Sequence, residues 1–212
     1  MLLALDTSSP QVCVALADGT DVLVELVSEQ TMKHGEQLAP LIVRALETAG
    51  LDRTDLTAIA VGVGPGPFTG LRVGLVTART LGFVLGVPVH GVCSLDVLAA
   101  EALGTGAVAS TFLVTTDARR KEVYWATYDA TGARLTDPAV DRPGDVETEH
   151  PVVGEGAVLY PMAFPSRVGP TRPSAGWLAR AVAGGRVPLV EPEPLYLRRP
   201  DAIAPGPPKA VS

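Results

Sequence analysis

From residue 70 to residue 86 a small side chain stands at every fourth position: Gly70, Gly74, Ala78, Gly82 and Gly86. Four residues carry an α-helix through about 400°, so these positions form one slowly drifting stripe almost bare of side chains. Each glycine inside a helix costs about 1 kcal/mol relative to alanine. A helix that keeps several needs a compensating gain, and a bare stripe offers one, because another backbone can approach closely. That neighbour is either the sheet beneath or a helix of another chain. Val73, Leu75, Val76, Leu81, Phe83 and Val84 occupy other positions, so the helix is apolar nearly all round. Such a helix must bury a second face. A single lobe offers one sheet face, which favours a subunit interface.

The flanking sequence sets the fold around that helix. Leu2 to Leu5 reads as a buried strand ending at Asp6, residues 11–17 as a second strand, Asp18-Gly19 as a hairpin turn and residues 22–27 as a third strand. A helix is predicted from His34, with Leu38, Leu41, Ile42, Ala45, Leu46 and Ala49 on one face and Gly50 closing it. Pro40 must lie in its first turn or bend it. Ala58 to Val63 is a strand, followed by the Gly/Pro loop at 64–67, the striped helix from about Thr69 to Leu85, and a strand from Val87 to Val92. Ser94 is the expected cap of a further helix with Asp96 in its first turn.

This β-β-β-α-β-α-β-α order predicts the ribonuclease-H-like, actin-like half-domain, an α/β fold with a mixed sheet covered by helices. The pattern then restarts. Phe112 to Thr116 ends at Asp117, and residues 122–128 form the next strand. The offset that carries Asp6 onto Asp117 also carries Val12 onto Val123 and Asp18 onto Asp129, which indicates an internal repeat. The expected organisation is tandem actin-like (ASKHA) lobes. Residues 1–104 form a complete lobe, 105–186 a reduced second lobe with a short helix capped by Ser174, and 187–212 a proline-rich tail. The tail is expected to lie extended over the surface or to be partly disordered.

Composition removes several function classes. Lys+Arg number 17 against 23 Asp+Glu, a net charge of −6, which argues against a free-standing nucleic-acid binder. Cys13 and Cys93 form no CxxC pair and read as buried thiols. His34, His90 and His150 are spaced too widely for a helical metal pair and read as surface or capping residues. No GxSxG elbow is present. The N-terminal residues lack a basic segment, and no run approaches the roughly 18 uninterrupted apolar residues of a membrane helix. A cytoplasmic protein without membrane association is expected.

The loop at 64–74 joins a buried strand to a helix N-terminus and carries no Gly-Lys-Ser/Thr. It is either an anion site or a rigid connector whose prolines fix φ. With Asp6 and Asp117 at matching strand ends, Gly64 and Gly66 mark a candidate nucleotide cleft. Each Asp either holds a metal through water or satisfies nearby turn N–H groups. The segment Asp117 to Glu122 favours a vestigial cleft, since it has no glycine with which to cradle phosphates.

Six segments in order along the chain, LALDTS at 3–8, KHGEQLAPLI at 33–42, GVGPGPFTGLRVG at 62–74, DARRKEVYWATY at 117–128, VGEGA at 153–157 and EPLYLR at 193–198, resemble the TsaB (YeaZ) family of bacterial tRNA threonylcarbamoyladenosine synthesis. The resemblance implies a non-catalytic subunit that pairs with a catalytic paralogue, TsaD, and with the ATPase TsaE. That assembly threonylcarbamoylates adenosine 37 of tRNAs reading ANN codons. It implies no cofactor on this chain alone, a homodimer when the partner is absent, and tRNA contact only through the complex. The implied interface uses Leu38, Leu41, Ile42 and Ala45 on one helix and Gly70, Gly74, Ala78 and Gly82 on the next. Substitutions such as Gly74→Leu or Ala78→Arg are then expected to block docking without unfolding the chain. No catalytic or metal residue is expected: where the paralogue carries two histidines four apart, this chain reads His90-Gly91-Val92-Cys93-Ser94. Pro67 departs from the family's usual Ser and stiffens the loop. The rival reading is an active nucleotide-dependent phosphotransferase or ATPase of the same fold, while a peptidase lacks both nucleophile motif and metal ligands. Arg119, Arg120 and Lys121 are either a tRNA contact or solvated hairpin charges.

Overall fold

The computed structural model describes residues 1–29 and 33–198. Strands β1 (Leu2–Asp6), β2 (Cys13–Asp18) and β3 (Asp21–Val27) form an antiparallel meander. Helix α1 (His34–Ala49) leads to β4 (Ala58–Gly64), α2 (Phe68–Leu85), β5 (Val89–Cys93) and α3 (Ser94–Gly104). β4 lies parallel to β1, β5 lies parallel to β4, and the sheet order is β3-β2-β1-β4-β5. The second lobe contains β6 (Phe112–Asp117), β7 (Val123–Tyr128), β8 (Ala139–Asp141), β9 (Val152–Val153) and the short α4 (Glu155–Leu159). Its order, β8-β7-β6-β9, repeats the first sheet as far as the fourth strand: β6, like β1, pairs antiparallel with the next strand and parallel with a later one. These are two actin-like lobes, the second reduced.

Strand alternation sorts side chains by size in the first sheet. Leu3, Leu5, Val14, Leu16, Ile59 and Val61 point to one face, where α1 and α2 cover them. Ala4, Cys13, Ala15, Ala17 and Ala60 point to the other. A face of such small side chains admits a helix only at close range, and α5 (Ala175–Ala183) meets that demand with Ala175, Gly176 and Ala179 against it. Ser174 caps α5 by accepting the Trp177 N–H at 3.0 Å, as the sequence predicts. Glu25 of β3 accepts from Ser174 Oγ and the Gly176 N–H, and the Trp177 ring packs on Gly104, where a Cβ would not fit.

The division of the chain therefore needs correction. α3 ends at Gly104, but residues 174–186, assigned above to the second lobe, complete the first. The described part of the tail also returns there. Gly91 and Val190 exchange both backbone hydrogen bonds at 2.9 Å, so the tail covers the edge of β5, and the Leu195 N–H donates to Val63 O. Residues 199–212 of the tail lie outside the described residues. Three local expectations also shift. Pro40 lies inside α1 beyond its first turn, which removes the first of its two expected placements. Pro88 is excluded from β5, which begins at Val89. Ser94 is the first residue of α3 rather than its cap, because its hydroxyl is used elsewhere.

Candidate functional site

Four segments converge where the lobes meet: the β1–β2 turn, the β4–α2 loop, the β6–β7 turn and the segment before α5. Asp6 ends β1 with its side chain only 1% exposed. Its Oδ1 accepts from the Ser8 N–H at 2.7 Å and from Ser8 Oγ at 2.6 Å, while Oδ2 accepts from Ser94 Oγ at 2.6 Å. Burial pushes the carboxyl above its ordinary range, against those hydrogen bonds from Ser8 and Ser94. Gly62 of β4 packs directly on this carboxylate, so no side chain fits there. Asp6 is thus a sequestered anchor for two turns and offers no oxygen to a metal-bound water.

The loop glycines serve the same closure. Gly64 sits at φ +96° and donates its N–H to Ser94 Oγ at 3.3 Å. A Cβ on Gly66 would come within 2.5 Å of Ser8 O, so backbone meets backbone where a phosphate would need room. Pro67 stands at the N-cap of α2 without a side-chain cap hydrogen bond. Across the cleft, Asp117 holds its own turn: Oδ1 accepts the Arg119 N–H at 2.8 Å, and Oδ2 lies 3.3 Å from the Arg119 guanidinium. Arg172 fills the space between. It donates to Gln11 Oε1 of the first lobe at 2.6 Å and to Glu155 Oε1 of the second at 2.6 and 3.1 Å. The remaining cavity, lined by Ser8, Pro67, Asp117, Arg119 and Arg172 among others, measures about 10 Å³. Ligand pockets run from roughly 300 Å³ upward.

Arg119, Arg120 and Lys121 form the tip of the β6–β7 turn with φ of 61°, 54° and 63°. Left-handed backbone costs an L-residue roughly 1–2 kcal/mol, and three such residues in succession are rare. The turn is fastened from outside. Arg198 of the tail donates to Ala118 O at 2.9 Å and pairs with Glu122. A further tie between the lobes lies at Asp96 of α3, which accepts from Tyr128 Oη at 2.6 Å and from Arg134 at 3.1 Å. Burial raises the Asp96 carboxyl, opposed by Tyr128 and Arg134. Asp96 and Arg134 border a groove of about 910 Å³ between α3 and residues 131–137.

The histidines separate. His34 is buried, with Nε2 2.8 Å from Ser9 O, so it is a core residue tying α1 to the β1–β2 turn rather than a surface one. His90 is half-buried and His150 exposed. Among the described residues no group of three His, Cys, Asp or Glu could hold a metal.

From Gly70 to Gly82 the stripe faces inward, and only Gly86, the C-cap of α2, is exposed. Gly70 and Gly74 pack on Thr7, whose hydroxyl donates to Gly70 O at 2.8 Å, and Gly82 packs on Val89. Ala78 is buried, as are Leu38, Leu41, Ile42 and Ala45 of α1, in the core of their own lobe. These eight residues are not surface available to a partner; the neighbour that repays the glycines is the chain's own first sheet. The opposite face of α2 is the open one. Val76 is 62% exposed, Phe83 89% and Val84 68%, with Val43 of the adjacent α1 at 53%. By length and composition alone α2 is apolar enough to cross a membrane, but its inner face lies on the sheet and Arg72 and Arg79 interrupt its outer one.

Residues 21–169 match the family described as TsaD, tRNA N6-adenosine threonylcarbamoyltransferase. An uncharacterized protein of Mycobacterium tuberculosis is 44% identical over 206 residues, covering 95% of this chain and 93% of that protein. The tRNA threonylcarbamoyladenosine biosynthesis protein TsaB of Escherichia coli is 38% identical over 129 residues, 60% of this chain and 54% of that protein. YeaZ from Pseudomonas aeruginosa superposes with a TM-score of 0.78 at 31% identity, over 92% of this chain and 99% of that one.

Proposed function

Because the chain belongs to the TsaB (YeaZ) family, we propose that it acts in tRNA threonylcarbamoyladenosine synthesis as a non-catalytic subunit that docks on the catalytic paralogue TsaD. The observation that carries this reading is the apolar outer face of α2. Val76, Phe83 and Val84 stand exposed on a helix whose other face is fully engaged. Large apolar side chains left exposed on one helix face, here with Arg72 and Arg79 among them, mark an interaction site. A contact built from the outer faces of α1 and α2 against two equivalent helices should bury roughly 1,200–2,000 Å² in total. TsaE joins the same assembly, and a second copy of this chain takes the paralogue's place when it is absent. The work is cytoplasmic, tRNA meets mainly the paralogue, and no cofactor is needed on this chain.

The filled cleft supports the non-catalytic part. Arg172, Gln11 and Glu155 occupy the space between the lobes, and Asp6 has no free oxygen. A phosphotransferase would instead bind magnesium-ATP in a manner dependent on Asp6. Calorimetric binding of magnesium-ATP that disappears in Asp6→Asn would favour that rival and sink the non-catalytic reading.

The assembly is tested by omission. Purified chain, TsaD and TsaE are assayed for tRNA modification with each left out in turn. Modification should stop without this chain, and its persistence would overturn the proposal. Phe83→Glu and Val76→Arg should abolish co-elution with TsaD while the variants keep the wild-type melting temperature. Co-elution retained by both would remove the α2 face from the interface.

A further inference from the structure

We propose that Arg72 and Arg79, on the outer stripe of α2, select the partner that docks there. That partner is a helix of the catalytic paralogue with carboxylates opposite the two arginines, in preference to a second copy of this chain. The inference rests on the reading that α2 is the docking helix, and it adds what the partner must supply. At about 100° per residue, Arg72, Val76, Arg79 and Phe83 fall on one stripe of α2, some 60° wide. Val76 and Phe83 are 62% and 89% exposed, and both arginines are exposed as well. Cations and apolar side chains thus alternate along the middle of the face. Over its 18 residues α2 has no Asp or Glu, although the whole chain carries a net −6.

The tail fixes one of the two cations and extends the face. Arg72 lies over the Phe68 ring, 3.8 Å from its centroid, and donates from Nε to Tyr196 Oη at 3.3 Å. Tyr196 in turn stacks on Phe68 with ring centroids 4.9 Å apart, and the adjoining Leu195 N–H is bonded to Val63 O. Neither arginine has an acidic partner among the described residues, Glu191 and Glu193 of the tail included. Arg79, two turns further along α2, has no hydrogen bond there either. Between them lies a hollow of about 370 Å³ bordered by Arg72, Leu75, Val76, Arg79, Pro194 and Tyr196.

Charge decides what fits this hollow. Arg72 and Arg79 stand about 10 Å apart along the helix axis. A partner helix that seats an apolar side chain in the hollow meets a cation on either side, and complementary potential there requires carboxylates. A second copy that laid its own α2 on the stripe would return the same two arginines and no acid. Like charges juxtaposed across an interface disfavour that pairing. The apolar side chains adhere to either partner, and the arginines distinguish them.

The test uses Arg79→Gln and Arg79→Glu, because an exposed side chain without a partner can be replaced at no cost to the fold. Both variants should keep the wild-type melting temperature. Two dissociation constants are measured by analytical ultracentrifugation, that of the chain with TsaD and that of the chain with itself. Arg79→Gln should weaken binding to TsaD about fivefold at low salt, and Arg79→Glu should weaken it further. Added salt should weaken the wild-type complex more than the Arg79→Gln complex. Self-association should move the other way and tighten about twofold in Arg79→Gln. Tyr196→Ala, which frees Arg72, should weaken binding to TsaD, and Tyr196→Phe, which keeps the stack on Phe68, should restore it. Unchanged affinity for TsaD in both Arg79 variants would overturn the proposal. So would self-association weakened in parallel, which would place an acid of the second copy, such as Glu36 or Glu47 of α1, against Arg79. Failure of the functional reading is seen separately, as wild-type chain that does not bind TsaD at all.

Discussion

Glu101 shows how burial of a single side chain sets a pH dependence. It lies on α3 in the layer shared with α5, and its Oε2 is buried without a hydrogen-bond partner. Burial and the nearby Glu25 charge raise its carboxyl from 4.5 to about 7, with Arg180 acting in the opposite sense. The folded chain therefore holds a proton that the unfolded chain has released between these values. Stability falls as pH rises through that window. The side chain is partly solvated, so the effect is on the order of 1 kcal/mol. Glu101→Gln should raise the melting temperature at pH 8 by roughly 2–4 °C and leave it unchanged at pH 5. An equal shift at both pH values would contradict this account. Other residues were less legible. The strand-end position of Asp6 and its bond to a nearby turn N–H, that of Ser8, were legible in the sequence, but the donor to its second oxygen was not, because Ser94 comes from a distant element. Nothing in Arg119-Arg120-Lys121 suggests positive φ, since glycine and asparagine, the usual markers, are absent.

At the scale of elements, α2 separates two meanings of a small-residue stripe. The spacing correctly demanded close approach by another backbone, and the neighbour is the β1–β2 turn and β5 rather than a partner helix. Periodicity measures how closely something packs, not whether it belongs to the same chain. The signal for the outer face was nonetheless present in Val76, Phe83 and Val84, which lie off the stripe. The expectation for Gly74 consequently reverses. Gly74→Leu places a side chain against Thr7 and Leu5 and should unfold the first lobe, with a loss of several kcal/mol, instead of leaving a folded monomer. Circular dichroism and a melting curve distinguish the outcomes, and a folded Gly74→Leu chain of native stability would refute the inward assignment. The meander, α1 and the alternation of helices and strands were readable because each follows a local period. β8, β9 and α4 were not, because they are two to five residues long in a proline-rich stretch.

At the scale of the whole molecule, an apolar cluster of α3 with β6 and β7 joins the lobes, and so, among the described residues, do polar ties: Arg172 between Gln11 and Glu155, Asp96 with Tyr128 and Arg134, and the tail from Val63 to Glu122 through Leu195 and Arg198. The sequence placed two lobes but could not show that the chain returns to the first after the second, since α5 and the tail carry no label of destination. A chain ending after residue 173 lacks α5 and exposes the alanine face of the first sheet. It should be aggregation-prone and lack a cooperative melting transition, and a soluble, cooperatively folding 1–173 fragment would disprove the dependence. The return of α5 has a further consequence for biogenesis. A ribosome releases the residues that finish the first lobe only after every strand of the second has been made. The meander must therefore wait, half-covered, while the second lobe emerges and folds. The first lobe begins before the second and is completed after it, so a translation product truncated within the second lobe carries an uncovered alanine face on its first sheet.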